Sequence, residues 1–240
     1  MPDYLVFQLA ASLGAMGEFA GHERRGSLSW PGRSALIGLM GAAMGIRRDG
    51  DFAPLEALQM AVAVFAPGSV LRDYHTVESV PSAAVKAPQS RPEALRLARA
   101  VRKTNTTITL RDYRCDPVFG VAVWAGSPEA VALSDLCATL KQPVFPLYLG
   151  RKSCPLAAPL DPAVHQTPDA ETALARLRLP WWLPETARVA RLLATDALEG
   201  AQRRETRHDQ AVDRARWHFA AREVAIKPVE ICADMAEVRP

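Results

Sequence analysis

The sequence offers little that would support metal, disulfide or membrane chemistry. Its 240 residues hold four cysteines, Cys115, Cys137, Cys154 and Cys232, far apart and without a C-x-x-C pair. That spacing argues against a structural zinc site and against a disulfide framework. It fits a reducing cytoplasm, the expected location. The five histidines are scattered. His208 and His218 flank Asp209 and Asp213 without the tight spacing of metal ligands, so neither a metal nor a cofactor is expected. Ser34 and Ser153 have no linked His–Asp pattern, and serine-hydrolase chemistry finds no support. The uncharged run from Ser34 to Ile46 is too short to span a bilayer, which takes about 20 residues. The first residues carry Asp3 and no basic run ahead of their apolar stretch, which makes a poor signal peptide. No internal repeat or low-complexity tract is present.

A hydrophobic fraction of 49% and a charged fraction of 23% are those of a globular domain with an ample core. A net charge of +3 is only weakly basic. Its distribution says more. Between Lys86 and Arg114 stand Lys86, Arg91, Arg96, Arg99, Arg102, Lys103, Arg111 and Arg114, opposed only by Glu93 and Asp112. Arg24, Arg25, Arg33, Arg47 and Arg48 form a second cluster. Local positive fields of this kind suit a phosphate backbone.

Along the chain, Tyr4 to Leu9 reads as a buried strand and Met16 to Trp30 as a loop or hairpin. A helix begins near Ser34, its N-cap, with Leu36, Leu39, Met40 and Ala43 at i, i+3, i+4, i+7. Gly38, Gly41 and Gly45 form a different stripe, where close backbone approach can offset their low helix propensity. Met60 to Ala66 and Val70 to Val77 read as strands. Glu78 to Lys103 is an excursion, proline-rich and then basic, followed by extended Thr104 to Leu110. Val118 to Trp124 is a central strand. Ser127-Pro128 is a helix start, with Leu133, Leu136, Cys137 and Leu140 on the buried face. Trp181-Trp182 read as core in preference to a partner-docking patch, Glu185 to Leu198 as helical, and Trp217 to Ile226 as a last strand. The order β-α-β, excursion, β-α fits an α+β, ferredoxin-like domain. Residues 1–150 are expected to form a palm carrying a thumb-like excursion over 78–110. Residues 151–240 are expected to form a smaller, mainly β region packed on it.

The most informative segment is Tyr148 to Pro155. A glycine turn (Gly150) followed by Arg151, Lys152 and Ser153 can form an anion-binding nest, with Tyr148 beside it to stack a base. Arg33 and Ser34 at a helix start favour a phosphate. On a strand, Arg72, Tyr74 and Thr76 share one face, and Asp73 and His75 the other. Arg111 and Tyr113 repeat the Arg-x-Tyr spacing. Thr104 and Thr107, with Thr106 between them, offer hydroxyls to phosphate or 2′-OH groups.

In this order the motifs resemble the CasD family, a subunit of type I-E Cascade, the CRISPR surveillance complex. The resemblance rests on Arg33 to Asp49, on Leu71 to Val77 (LRDYHTV), and on Arg111-Asp112-Tyr113 with Cys115-Asp116. It also rests on the strand ending at Trp124, on Tyr148 to Leu160 (YLGRKSCPLAAPL) and on Phe219 to Glu223. It implies an RRM-like RAMP fold and a non-catalytic protein. Such a protein binds the 5′ repeat-derived handle of the CRISPR RNA and caps the backbone filament. The implied partners are that RNA, a neighbouring backbone subunit and the large subunit, with target DNA engaged only through the complex. The implied RNA contacts, residue by residue, are Arg24, Arg25, Arg33, Ser34, Arg72, Tyr74, His75, Lys103, Thr104, Thr107, Arg111, Tyr148, Gly150, Arg151, Lys152 and Ser153. The alternative is a metal-independent endoribonuclease cutting CRISPR repeats. In it His75 is general acid or base, and Tyr74 with Lys103 or Arg111 stabilises the phosphorane.

Overall fold

The computed structural model describes residues 1–20, 23–214, 216 and 218–235. The expected first strand is β1 (Asp3–Ala10), buried along almost its whole length. Alternation sends Leu5, Phe7 and Leu9 into one core and Tyr4, Val6 and Ala10 into another, so both faces of the sheet are covered. The short strands β2 (Leu13–Gly14), β3 (Gly17–Ala20) and β4 (Arg24–Ser27) follow, then α1 (Arg33–Ala43), α2 (Ala53–Glu56) and β5 (Leu58–Ala66). The excursion is β6 (Ser69–Ser79), α3 (Arg91–Ala100) and β7 (Asn105–Cys115). Next come β8 (Val118–Ala125), α4 (Leu133–Lys141), β9 (Ala163–Gln166), α5 (Ala170–Leu174) and β10 (Arg178–Leu179). The last strands are β11 (Val189–Thr195), β12 (Arg203–Asp213), β13 (His218–Cys232) and β14 (Asp234–Met235).

One seven-stranded sheet runs β12-β13-β11-β5-β8-β1-β9. Within it β5, β8, β1 and β9 are all antiparallel neighbours. With α1 and α4 they trace β-α-β-β-α-β. Both helices pack on the Leu5–Phe7–Leu9 side, through Leu36, Ile37 and Met40 of α1 and Leu136 and Leu140 of α4. Each such fully buried aliphatic side chain stabilises the fold by about 1.5–3 kcal/mol. The glycine stripe of α1 has a mixed cause. A Cβ at Gly41 would stand 2.4 Å from the Phe52 ring, whereas one at Gly38 would meet nothing within 4 Å.

A second sheet, β2-β7-β4-β3 with β6 on β7, carries the excursion. Strands β6 and β7 form a long antiparallel ribbon, from Ser69 opposite Cys115 to Ser79 opposite Asn105. Helix α3 sits at its tip, capped by Ser90, whose hydroxyl accepts from the Glu93 N–H. No helix among the described residues is long and apolar enough to cross a membrane.

Several expectations change. The N-cap of α1 is Gly32, not Ser34, because the Asp209 carboxylate accepts from the Arg33 N–H at 2.6 Å. The helix expected from Ser127 begins at Leu133. Ser127 bonds Glu129 instead, and the Val131 N–H is held by the Pro54 carbonyl. Glu185 to Leu198 is one 3-10 turn followed by β11, which pairs with both β5 and β13. Trp181 and Trp182 pack edge to face at 5.9 Å, yet remain 56% and 46% exposed rather than core. The sheet crosses the boundary expected at residue 150, since β9 and β11 flank the strands before it. Trp217, expected to open the last strand, lies outside the described residues.

Candidate nucleic-acid interface

The antiparallel register of the excursion sorts its residues onto two faces. Arg72 stands opposite Asp112, and Asp73 opposite Arg111. The two Arg-x-Tyr motifs therefore face opposite ways. Arg111 and Tyr113 share a face with Asp73 and His75, which are in direct contact with each other. Arg72 and Tyr74 share the other with Asp112. Parallel pairing of β4 with β7 sets Arg25 beside Arg111 and sends Arg24 to the Asp112 side.

On the first face the Tyr148–Pro155 turn closes over β7. Gly150 has φ +87, and a Cβ there would fall 1.7 Å from the Ala15 carbonyl oxygen, so only glycine fits. The Leu149 carbonyl accepts from the Ala15 N–H at 3.0 Å, and the Arg151 carbonyl from the Cys154 N–H at 2.8 Å. These bonds lay the Arg151 guanidinium 4.5 Å above the buried Tyr113 ring. Arg25 and Arg111 are thus register neighbours on the face of β7 that carries Tyr113, and Arg151 stacks on that ring. Arg111 Nε and Arg151 Nη1 have no hydrogen-bond partner among the described residues. Lys152 and Ser153 are exposed beside them, and Tyr148 is half-buried.

This turn borders a cleft of about 1010 Å³. Its walls are Gly17, the first two turns of α1 at Ser34 and Gly38, the Gly150–Arg151 turn, and Arg207 of β12. The Arg207 guanidinium lies 4.3 Å over the Trp30 ring and donates to Glu205 at 2.6 Å. Sequence reasoning missed Arg207, because its ring partner lies on a distant segment.

Arg33 is not at the surface. It is 8% exposed. Its guanidinium donates to Asp196 at 2.7 Å and to the carbonyls of Glu56 and Leu58 at 2.6 and 2.9 Å. Asp196 also accepts from Arg222 at 2.6 Å, and Arg222 continues to Asp209. Burial pushes the Asp196 carboxyl up, against the pull of Arg222 and Arg33. Arg33 therefore serves as an internal tie, with no donor turned toward a phosphate.

The remaining candidates spread along the ribbon. His75, next to Asp73, lies on the Arg111 face, so His75 and Tyr74 do not converge on one atom. Thr107 is exposed on the Arg111 face, about 13 Å from Arg111 along the strand. Lys103 and Thr104 lie at the tip, where the Lys103 N–H closes α3 on the Ala98 carbonyl at 2.9 Å. Of the basic run, Arg99 pairs with Glu78, and Arg91 donates to the Glu78 carbonyl.

The family described as CRISPR-associated protein (Cas_Cas5) matches residues 4–225. The chain belongs to this family. Among relatives of this Cas5-family chain is the CRISPR system Cascade subunit CasD of Escherichia coli strain K12. The two are 34% identical over 186 residues, 72% of this chain and 76% of that protein. A solved chain of a CRISPR RNA-guided surveillance complex superposes with TM-score 0.66 at 25% identity, covering 96% of this chain and 91% of that one. A second solved chain, described as a Cas protein, shares the fold with TM-score 0.60 at 24% identity over 97% of this chain and 98% of that one.

Proposed function

We propose that this Cas5-family chain is the CasD-type subunit of a type I-E Cascade. In this reading it binds the single-stranded 5′ handle of the CRISPR RNA without cutting it. One observation carries the proposal: Arg151, seated over the Tyr113 ring, lines a large cleft, and the register neighbours Arg25 and Arg111 lie on the Tyr113 face of the adjoining ribbon. Three guanidiniums neutralise backbone phosphates by charge-assisted, bidentate hydrogen bonds. The cleft, walled by Gly17 and Gly38, leaves room for splayed, unstacked bases. Lys152 and Ser153 extend the same turn as further phosphate donors. The projecting ribbon with α3 at its tip serves as the thumb beside a neighbouring backbone subunit. The large subunit docks nearby, and target DNA is met only through the assembled cytoplasmic complex.

The nuclease reading has one observation in its favour, the Asp73 carboxylate against the His75 imidazole. Tyr74 on the opposite face weakens it. The test is end-labelled CRISPR repeat RNA incubated with the purified chain in EDTA, run on native and denaturing gels. A shifted, uncut RNA is expected. Arg111→Ala and Arg151→Ala should weaken binding and flatten its salt dependence by about 0.7 in log–log slope for each phosphate no longer neutralised. A discrete cut abolished by His75→Ala would replace this reading with a processing nuclease.

A further inference from the structure

The far face of the β6–β7 ribbon holds a charge arrangement that the cleft does not use. Asp112 is 3% exposed. Its Oδ2 accepts from Arg24 Nη2 at 2.6 Å and from Arg24 Nε at 3.0 Å. Its Oδ1 accepts from Arg72 Nε at 2.9 Å. Hydrogen bonds from Arg72 and then Arg24 hold the carboxyl at about 2, so it stays charged at any physiological pH. The two arginine side chains are nevertheless 48% and 57% exposed. Among the described residues neither pairs with another carboxylate. The group therefore carries one net positive charge, with two guanidiniums fixed side by side and open to solvent.

Strand stitching does not account for burying this charge. Backbone pairing already joins β4 to β7 at Arg24–Leu110 and Arg25–Arg111, and β6 to β7 along the whole ribbon. Burying one carboxylate under two half-exposed arginines adds orientation, which is what planar recognition of an oxyanion requires. One further anion brings the group to neutrality. Tyr74 stands on the same face about 7 Å along the strand from Arg72, and it is 60% exposed.

We propose that Arg24 and Arg72, set by Asp112, form a phosphodiester-binding fork on the face of the ribbon opposite Arg111 and Arg151. Tyr74 is the stacking platform for the adjoining base. The ligand is a single-stranded nucleic-acid segment, either a second stretch of the CRISPR RNA or a DNA strand. Asp112 is a positioning residue. The inference rests on the reading that this chain binds nucleic acid, and it adds a second contact to it.

The test measures binding of the full chain to end-labelled repeat RNA and, in parallel, to a DNA strand of the same sequence, across a salt series. Arg24→Ala, Arg72→Ala and the charge-preserving Arg72→Lys should each weaken binding about tenfold. The Arg24→Ala/Arg72→Ala double variant should lose little more, with a total slope change of about 0.7, because both arginines hold one phosphate. Asp112→Asn is diagnostic by sign. It raises the local charge, so a purely electrostatic surface would bind tighter, whereas a preset fork binds more weakly. Losses confined to RNA or to DNA identify the source, and equal losses on both identify a general phosphodiester site. Arg72→Lys folds without burying new charge, which keeps the test valid if Asp112→Asn is unstable. Unchanged binding of Arg24→Ala, Arg72→Ala and Arg72→Lys to both probes, with Arg151→Ala still weakened, overturns the fork and leaves the handle reading standing. Failure of the unmutated chain to bind RNA overturns the handle reading itself.

Discussion

Asp196 and Asp112 each sit between two arginines, and burial makes the two groups different devices. In one, Asp196 lies between Arg33 and Arg222, with side-chain exposures of 14%, 9% and 14%. In the other, Asp112 lies between Arg24 and Arg72, whose side chains are about half exposed. Around Asp196, desolvation outweighs the neighbouring cations and the carboxyl rises. Around Asp112, the hydrogen bonds outweigh desolvation and it falls to about 2. The first arrangement directs its donors inward and fixes α1 against the β11–β13 strands. The second leaves guanidinium edges free. An arginine in a sequence is a surface contact or an internal tie according to what the fold brings over it.

Arg222→Met breaks the buried group and should show the largest effect. It leaves Asp196 and Asp209 with less compensation, and a loss of about 3–5 kcal/mol in urea unfolding is expected. A loss below about 1 kcal/mol would mean that water already reaches the site.

Asp112→Asn comes next, with a smaller loss at pH 7 and a defined acid window. A carboxylate whose folded pKa is depressed contributes stability that is present above its unfolded value of 3.8 and disappears as pH falls through about 2. The stability gap between the unmutated chain and Asp112→Asn should thus hold steady at pH values well above 3.8 and close between 3.8 and about 2. Asp196 works with the opposite sign. Its raised pKa adds stability below 3.8 that is lost as pH rises through the folded value. Urea midpoints of Asp196→Asn and Asp112→Asn at several acid pH values should therefore move in opposite directions relative to the unmutated chain. Parallel curves would erase the difference between the two groups.

The smallest effect belongs to Arg191→Ala. Its pair with Glu230 is 3.5 Å long and 75% and 70% exposed. A change within about 0.5 kcal/mol is expected, which anchors the exposed end of the scale.

The strands β1, β5 and β8, the apolar face of α4 and the glycine turn at Gly150 were readable because local pattern alone specifies them. The apolar run of β11 reads as helix because seven residues, Val189 to Thr195, are too few for periodicity to separate a buried strand from a helix. The role of Arg33 was hidden for another reason. Its helix-start position is the usual signal for a phosphate site, but the carboxylates that claim it lie 163 and 176 residues away. Asp112 was visible only as part of a motif. That it joins Arg24 to Arg72 depends on strand register, which no single segment encodes. The alternation of Arg72 and Tyr74 was legible, whereas the opposite orientation of Arg111 and Tyr113 required knowing which residues pair.

The tie on Arg33 also sets an order of events during synthesis. Arg33 at the start of α1 finds the nearby carbonyls of Glu56 and Leu58 first, and its remaining partners arrive only when the ribosome has delivered Asp196, Asp209 and Arg222. Closing so long a loop is entropically costly and slow. A nascent chain therefore carries the first wall of the cleft long before the wall that faces it. The cleft is complete only once that second wall has docked.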